Sequence, residues 1–102
     1  MAKTKKSWYY TAKSLAADVL RGRITDRTES GAFICACVKS ALGRTEKRDN
    51  GKLRIAVVDE TVRKNMKYVA GVAMQLHMCE RTVVQYTSDF VYDVARELGF
   101  WE

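Results

Sequence analysis

Residues 30–43 read SGAFICACVKSALG, the least polar run in a chain of 102 residues, and Lys39 is its only charged side chain. At helical spacing Phe33, Ile34, Cys37, Val38 and Ala41 share one face, while the other carries only Cys35, Ala36 and Ser40 around Lys39. A helix that is apolar nearly all round belongs inside a core. Ser30 is placed to cap its start, and Gly43 to end it in a left-handed conformation. The stretch therefore predicts a central buried helix, with amphipathic helices before and after it. That is a reading of the core and leaves function open.

Composition agrees with this class. The chain has no proline, and a many-stranded sheet would need more turn punctuation than it contains. The prediction is one mainly α domain spanning 1–102, a compact bundle of four to five helices, with residues 1–6 as a basic flexible tail. A formal charge of +6 calls for an acidic partner, either nucleic acid or an acidic protein surface. The cations run from Lys3, Lys5 and Lys6 through Arg54, Arg63, Lys64 and Lys67, whereas beyond Arg81 the chain turns acidic at Asp89, Asp93, Glu97 and Glu102. Three cysteines, two of them in the apolar helix, do not form the even framework of a secreted mini-protein, so a reducing cytoplasm is expected. Neither a signal peptide nor a membrane-spanning run is legible, and a homodimer is left open.

The neighbouring elements follow from periodicity. Ser7 to Arg21 has Trp8, Ala12, Leu15, Ala16 and Val19 on one face and Gly22 as its stop. Trp8, Tyr9 and Tyr10 read as packing groups, because a base-stacking sheet needs aromatics at strand spacing. Residues 22–29 are a polar loop, and Asp49-Asn50-Gly51 is the strongest turn signal in the chain. Residues 53–58 alternate, which leaves a short strand and a helix starting near Lys52 as equal alternatives. Asp59 then caps a helix over residues 59–78 with Val62, Met66, Val69 or Ala70, Ala73 and Leu76 on its apolar face. Gly71 within it either allows close packing or marks a break.

One segment carries a mechanism. In residues 69–99, VAGVAMQLHMCERTVVQYTSDFVYDVARELG, the small Ala73, the apolar pair Leu76 and Met78, and the string Glu80-Arg81-Thr82-Val83 stand in helix-turn-helix order. The segment resembles the helix-turn-helix of LuxR-type proteins, of sigma-factor region 4 and of phage late regulators. That resemblance implies that Ala73 lets two helices cross closely and that Met78 and Val83 plug their junction. It further implies that Glu80, Arg81, Thr82 and Gln85 read base edges or phosphates, with Lys64 and Lys67 on the preceding helix as backbone clamps. The segment departs from the pattern at His77, where the turn usually has glycine, and at Cys79, where a capping Ser or Thr is usual. Two ordinary core helices joined by a turn are the alternative.

Other chemistry is weakly represented. Cys35-x-Cys37 and His77-x-Cys79 offer four soft ligands on paper, but residues two apart on a helix point to nearly opposite sides, so no metal is expected. His77 is the only histidine, and no phosphate loop, nucleophile elbow or carboxylate pair accompanies a Cys35 or Cys37 pairing with it. No catalytic residue and no cofactor is predicted. The second function class is a protein-binding inhibitor or adaptor. By size and lack of motif the chain resembles phage-encoded modulators of host complexes, anti-CRISPR proteins among them. Tyr86, Phe90, Tyr92, Phe100 and Trp101 are its candidate anchors, against an equal reading in which Phe100 and Trp101 fold back on the core.

Overall fold

The computed structural model describes residues 7–66 and 68–100. Five helices run in order: α1 (Ser7–Leu20), α2 (Glu29–Lys47), α3 (Gly51–Val58), α4 (Val69–Gln75) and α5 (Glu80–Leu98). A π-helical turn, Asp59–Arg63, continues α3. No strand occurs among the described residues, so residues 53–58 resolve to helix. A lone strand with no partner has nowhere to place its backbone hydrogen bonds, whereas a helix satisfies them internally. The Cα radius of gyration is 13.3 Å, matching about 13 Å for a compact domain of this length.

The centre of the bundle is α5, which packs against each of the other four helices. Its buried stripe is Val83, Tyr86, Thr87, Phe90, Val91, Val94 and Ala95, spaced at three and four residues, with Phe90 wholly enclosed. This corrects the expectation that α2 holds the centre. On α2 the buried residues are Gly31, Cys35, Cys37, Val38, Ala41 and Thr45. Phe33 is 55% exposed, and Ala36 and Ser40 face solvent. Phe33 lies about 140° around the helix from Val38, too far to join the stripe that meets α5. Small residues make α2 look apolar all round without giving it a second face to bury.

The ends of α2 also move. Thr28, not Ser30, caps it, accepting from the Gly31 amide at 3.0 Å. Gly43 lies inside the helix, which runs on to Lys47. Gly43 is therefore no terminator: the following residues Arg44, Thr45, Glu46 and Lys47 all suit a helix, and Thr45 closes a bond to the Ala41 carbonyl at 2.9 Å. The turn at 49–51 forms as the sequence predicts. Asn50 takes a left-handed φ of 60°, and a Cβ on Gly51 would stand 2.0 Å from the Glu46 carbonyl oxygen, so only glycine fits that approach. The first helix stops where expected, with Gly22 at φ 79° and the Arg23 amide returning 2.8 Å to the Asp18 carbonyl.

Residues 59–78 are not one helix. Asp59 does not cap them; it sits in right-handed backbone continuous with α3. The break follows the π-turn, where Asn65 is left-handed at φ 55° and Met66 and Tyr68 lie outside any helix. Gly71 accommodates the ring of Tyr68, whose Cδ2 would lie 2.8 Å from a Cβ. Two apolar clusters result. One joins α1, α2, the π-turn and the C-terminal half of α5; the other holds Val57, Val72, Ala73, Val83 and Tyr86 beneath α4.

Candidate nucleic-acid interface

The two helices α4 and α5 and the connection 76–79 form the unit on which the helix-turn-helix expectation rests. Ala73 and Val83 are buried in the second cluster, with Leu76 and Met78 packed against it. The turn closes as a Schellman motif: the His77 amide returns to the Met74 carbonyl at 3.3 Å, and the Met78 amide to the Ala73 carbonyl at 2.9 Å. His77 supplies the left-handed residue at φ 56° that such a closure requires. Histidine enters this region more readily than most residues with a Cβ, so glycine is not obligatory there.

Cys79 stands at the N-cap of α5 with extended backbone, φ −83° and ψ 153°, and its thiol makes no capping bond. Its Sγ lies 3.1 Å from the Thr82 hydroxyl. That hydroxyl, and further off the Arg81 charge, hold the thiol pKa below its usual value. Cys37 shows the opposite behaviour: burial first, then the Glu97 charge, pushes its thiol up.

The predicted contact residues separate on inspection. Glu80, Arg81 and Gln85 are exposed on the first turns of α5, and Thr82 is half-buried. The Gln85 side-chain amide donates to Asp89 at 2.8 Å, and Thr82 is engaged with Cys79. Lys64 does not lie on the preceding helix but just after the π-turn, where it pairs with Glu60 at 2.8 Å. Lys67 lies outside the described residues. Of the six, Glu80, Arg81 and Gln85 share one exposed surface.

A feature that sequence reading missed bears directly on the charge of this unit. Three acidic residues in the C-terminal half of α5 recur every four positions, and each meets an arginine from α2, its C-cap or α3. Glu97 pairs with Arg44 at 3.0 Å, Asp93 with both carboxylate oxygens on Arg48 at 2.9 and 3.0 Å, and Asp89 with Arg54 at 2.9 Å. Arg54 also lies 4.2 Å over the Tyr86 ring. The acid-rich half of α5 is thus matched charge for charge at Asp89, Asp93 and Glu97. Burial raises the Asp93 pKa even so, because desolvation outweighs the nearby Arg48 and Arg44. The i,i+4 spacing of Asp89, Asp93 and Glu97, and of Arg44 and Arg48, was the available signal.

The aromatic anchors are redistributed. Tyr86 and Phe90 are core, while Tyr92 packs edge-on against Trp8 at 5.5 Å and Tyr9 at 5.8 Å. Phe100 is partly exposed, and Trp101 lies outside the described residues. The large apolar groups that do reach solvent include Tyr68, 70% exposed, and Met74, 77% exposed.

The metal and nucleophile constellations place as follows. The Cys35 thiol donates toward the Ile24 carbonyl at 3.5 Å and the Cys37 thiol toward the Glu97 carbonyl at 3.4 Å, on different neighbours. Among the described residues no three His, Cys, Asp or Glu side chains gather as metal ligands. No helix among them is long and apolar enough to cross a membrane. No protein-family model matches the chain, and searches of curated proteins and of solved structures return no match.

Proposed function

We propose that this chain is a small non-enzymatic protein that binds duplex nucleic acid with the exposed first turns of α5, in the manner of a transcription regulator. One observation carries the reading: the left-handed His77 closure sets α4 and α5 as a tight two-helix unit sealed by Ala73, Met78 and Val83, with Arg81 and Gln85 outward. The Arg44, Arg48 and Arg54 pairs support it by neutralising the acidic half of α5. Arg81 is the group suited to phosphate or guanine, and Gln85 to a base edge once released from Asp89. A reducing cytoplasm goes with three free thiols.

The test is anisotropy of a labelled duplex, titrated with protein across a salt series. Arg81→Ala is expected to weaken binding at every sequence and to lower the salt slope by about one. Lys64→Ala should change little, because Lys64 already serves Glu60. If Arg81→Ala combined with Lys67→Ala leaves retention on heparin and duplex DNA unchanged, the reading is wrong.

A second reading, a phage-type inhibitor docking on a host protein, is favoured by the exposure of Tyr68 and Met74 beside the same unit. It predicts a salt-insensitive protein partner that survives nuclease treatment in a pull-down and is lost in Met74→Asp.

A further inference from the structure

Within one chain the outward side of α2 stands open to solvent. Positions 29, 33, 36, 40, 43 and 47 follow one another in steps of four and three, which keeps them within about 80° of arc along the whole helix. Glu29, Phe33, Ala36, Ser40, Gly43 and Lys47 are all exposed, Phe33 by 55%. Only the ends of this face are charged, and oppositely: Glu29 in the first turn and Lys47 in the last. Neither side chain has an ion pair or hydrogen bond among the described residues. Between them Phe33 projects as a large apolar group, and Gly43 leaves a gap, since a Cβ there would meet no atom within 4 Å.

This face is complementary to a second copy of itself. Turned end for end about the level of Val38, it sets Glu29 against Lys47, Phe33 against Gly43 and Ala36 against Ser40, because the members of each pair lie nine, five and two residues either side of that level. A two-fold axis makes each contact twice. Two ion pairs then close the ends, and each ring fills the place where the facing helix has no side chain. Alanine, serine and glycine let the two axes approach to about 8 Å, the short end of ordinary helix packing. A parallel arrangement fails, since it sets Glu29 on Glu29 and Lys47 on Lys47 and leaves both glycines unfilled. A slide by one heptad breaks both ion pairs. Lys39 borders the face, and its two copies come onto one side of the pair, where their long stems carry the ammonium groups out to water.

We propose that this face of α2 is the interface of an antiparallel homodimer. One helix from each copy, about 28 Å long, covers less than a standard interface, so the dimer is weak, with a Kd on the order of tens of micromolar. The pairing does not depend on the nucleic-acid reading, and its test contains no nucleic acid.

Sedimentation equilibrium of the full chain from about 1 to about 500 µM should show a monomer passing to a dimer. In a mixture of isotopically light and heavy protein, a zero-length carbodiimide should join Glu29 of one chain to Lys47 of the other; on a single helix the two lie about 27 Å apart, beyond its reach. Glu29→Lys and Lys47→Glu, both at exposed positions, should each weaken association about tenfold or more at low salt. Mixing the two variants should restore it, because the mixed dimer regains both attractive pairs. Gly43→Gln adds a good helix former where nothing stands in the way, so the dilute chain should melt no lower than the parent while dimerisation is lost. A chain that stays monomeric throughout overturns the proposal; so does a dimer indifferent to Gly43→Gln, or a mixture of the charge variants that associates no better than either alone.

Discussion

His77 decides whether residues 74–79 are a turn or a continuous helix, and substitution there reads the answer as a sign. A left-handed backbone costs a residue with a Cβ about 1–2 kcal/mol and costs glycine almost nothing. Against that gain, glycine loses about 0.4–1 kcal/mol more entropy on folding. His77 is exposed at φ 56°, so its ring forfeits little packing when removed. His77→Gly should therefore stabilise slightly and His77→Ala should not, leaving glycine ahead of alanine by about 1 kcal/mol. In a helix interior the order reverses, with alanine ahead by about 1 kcal/mol. For a chain of this size each kcal/mol moves the midpoint by roughly 4–8 °C. Thermal melts followed by circular dichroism should place the glycine variant at least several degrees above the alanine variant. The opposite order would refute the turn, and with it the separation of α4 from α5 on which the nucleic-acid reading rests.

Two further outcomes follow from the charges and thiols. Arg48→Met strands the Asp93 carboxylate, whose side chain is 8% exposed, and breaking a buried pair costs about 3–5 kcal/mol. Arg48 is itself 40% exposed and Arg44 also acts on Asp93, so about 2 kcal/mol, or roughly 8–16 °C, is expected at neutral pH. The folded pKa of Asp93 lies above its ordinary value, so the stability this group contributes is present at low pH and lost as pH rises through that pKa. Removing Arg48 raises it further; the deficit of the variant should shrink between about pH 7 and pH 4 and largely vanish in Arg48→Met with Asp93→Asn, and a pH-independent deficit would count against the pairing. Iodoacetamide on the native chain should modify Cys79 first and fast, more slowly in Thr82→Val, while the buried Cys35 and Cys37 react only on unfolding; peptide mass spectrometry showing equal labelling of the three would contradict the structure.

Local signals placed two element ends correctly, where one residue type has a dedicated backbone role. Gly22 ends α1 and Asn50-Gly51 makes the turn before α3, because each supplies a conformation or an approach that other residues resist. The same logic erred at Gly43, where a glycine in helical backbone simply carries no side chain into solvent. The resemblance to a helix-turn-helix implied an apolar junction of Ala73, Met78 and Val83, and these residues do lie in or against one apolar cluster. The engagement of Gln85 with Asp89 and of Lys64 with Glu60 was within reach of the i,i+4 rule.

From sequence alone, this protein is determined to be helical: proline is absent, apolar residues recur at three and four positions, and hydrogen bonds within a helix need no distant partner. Which helix is innermost was settled only in three dimensions. A run of small apolar residues scores as buried on every side, yet burial requires a mate for each side, and α2 finds one face to share while α5 finds four helices. The same holds for charge. Asp89, Asp93 and Glu97 are an acidic stripe along the chain and a neutral seam once Arg54, Arg48 and Arg44 arrive from elements more than thirty residues away.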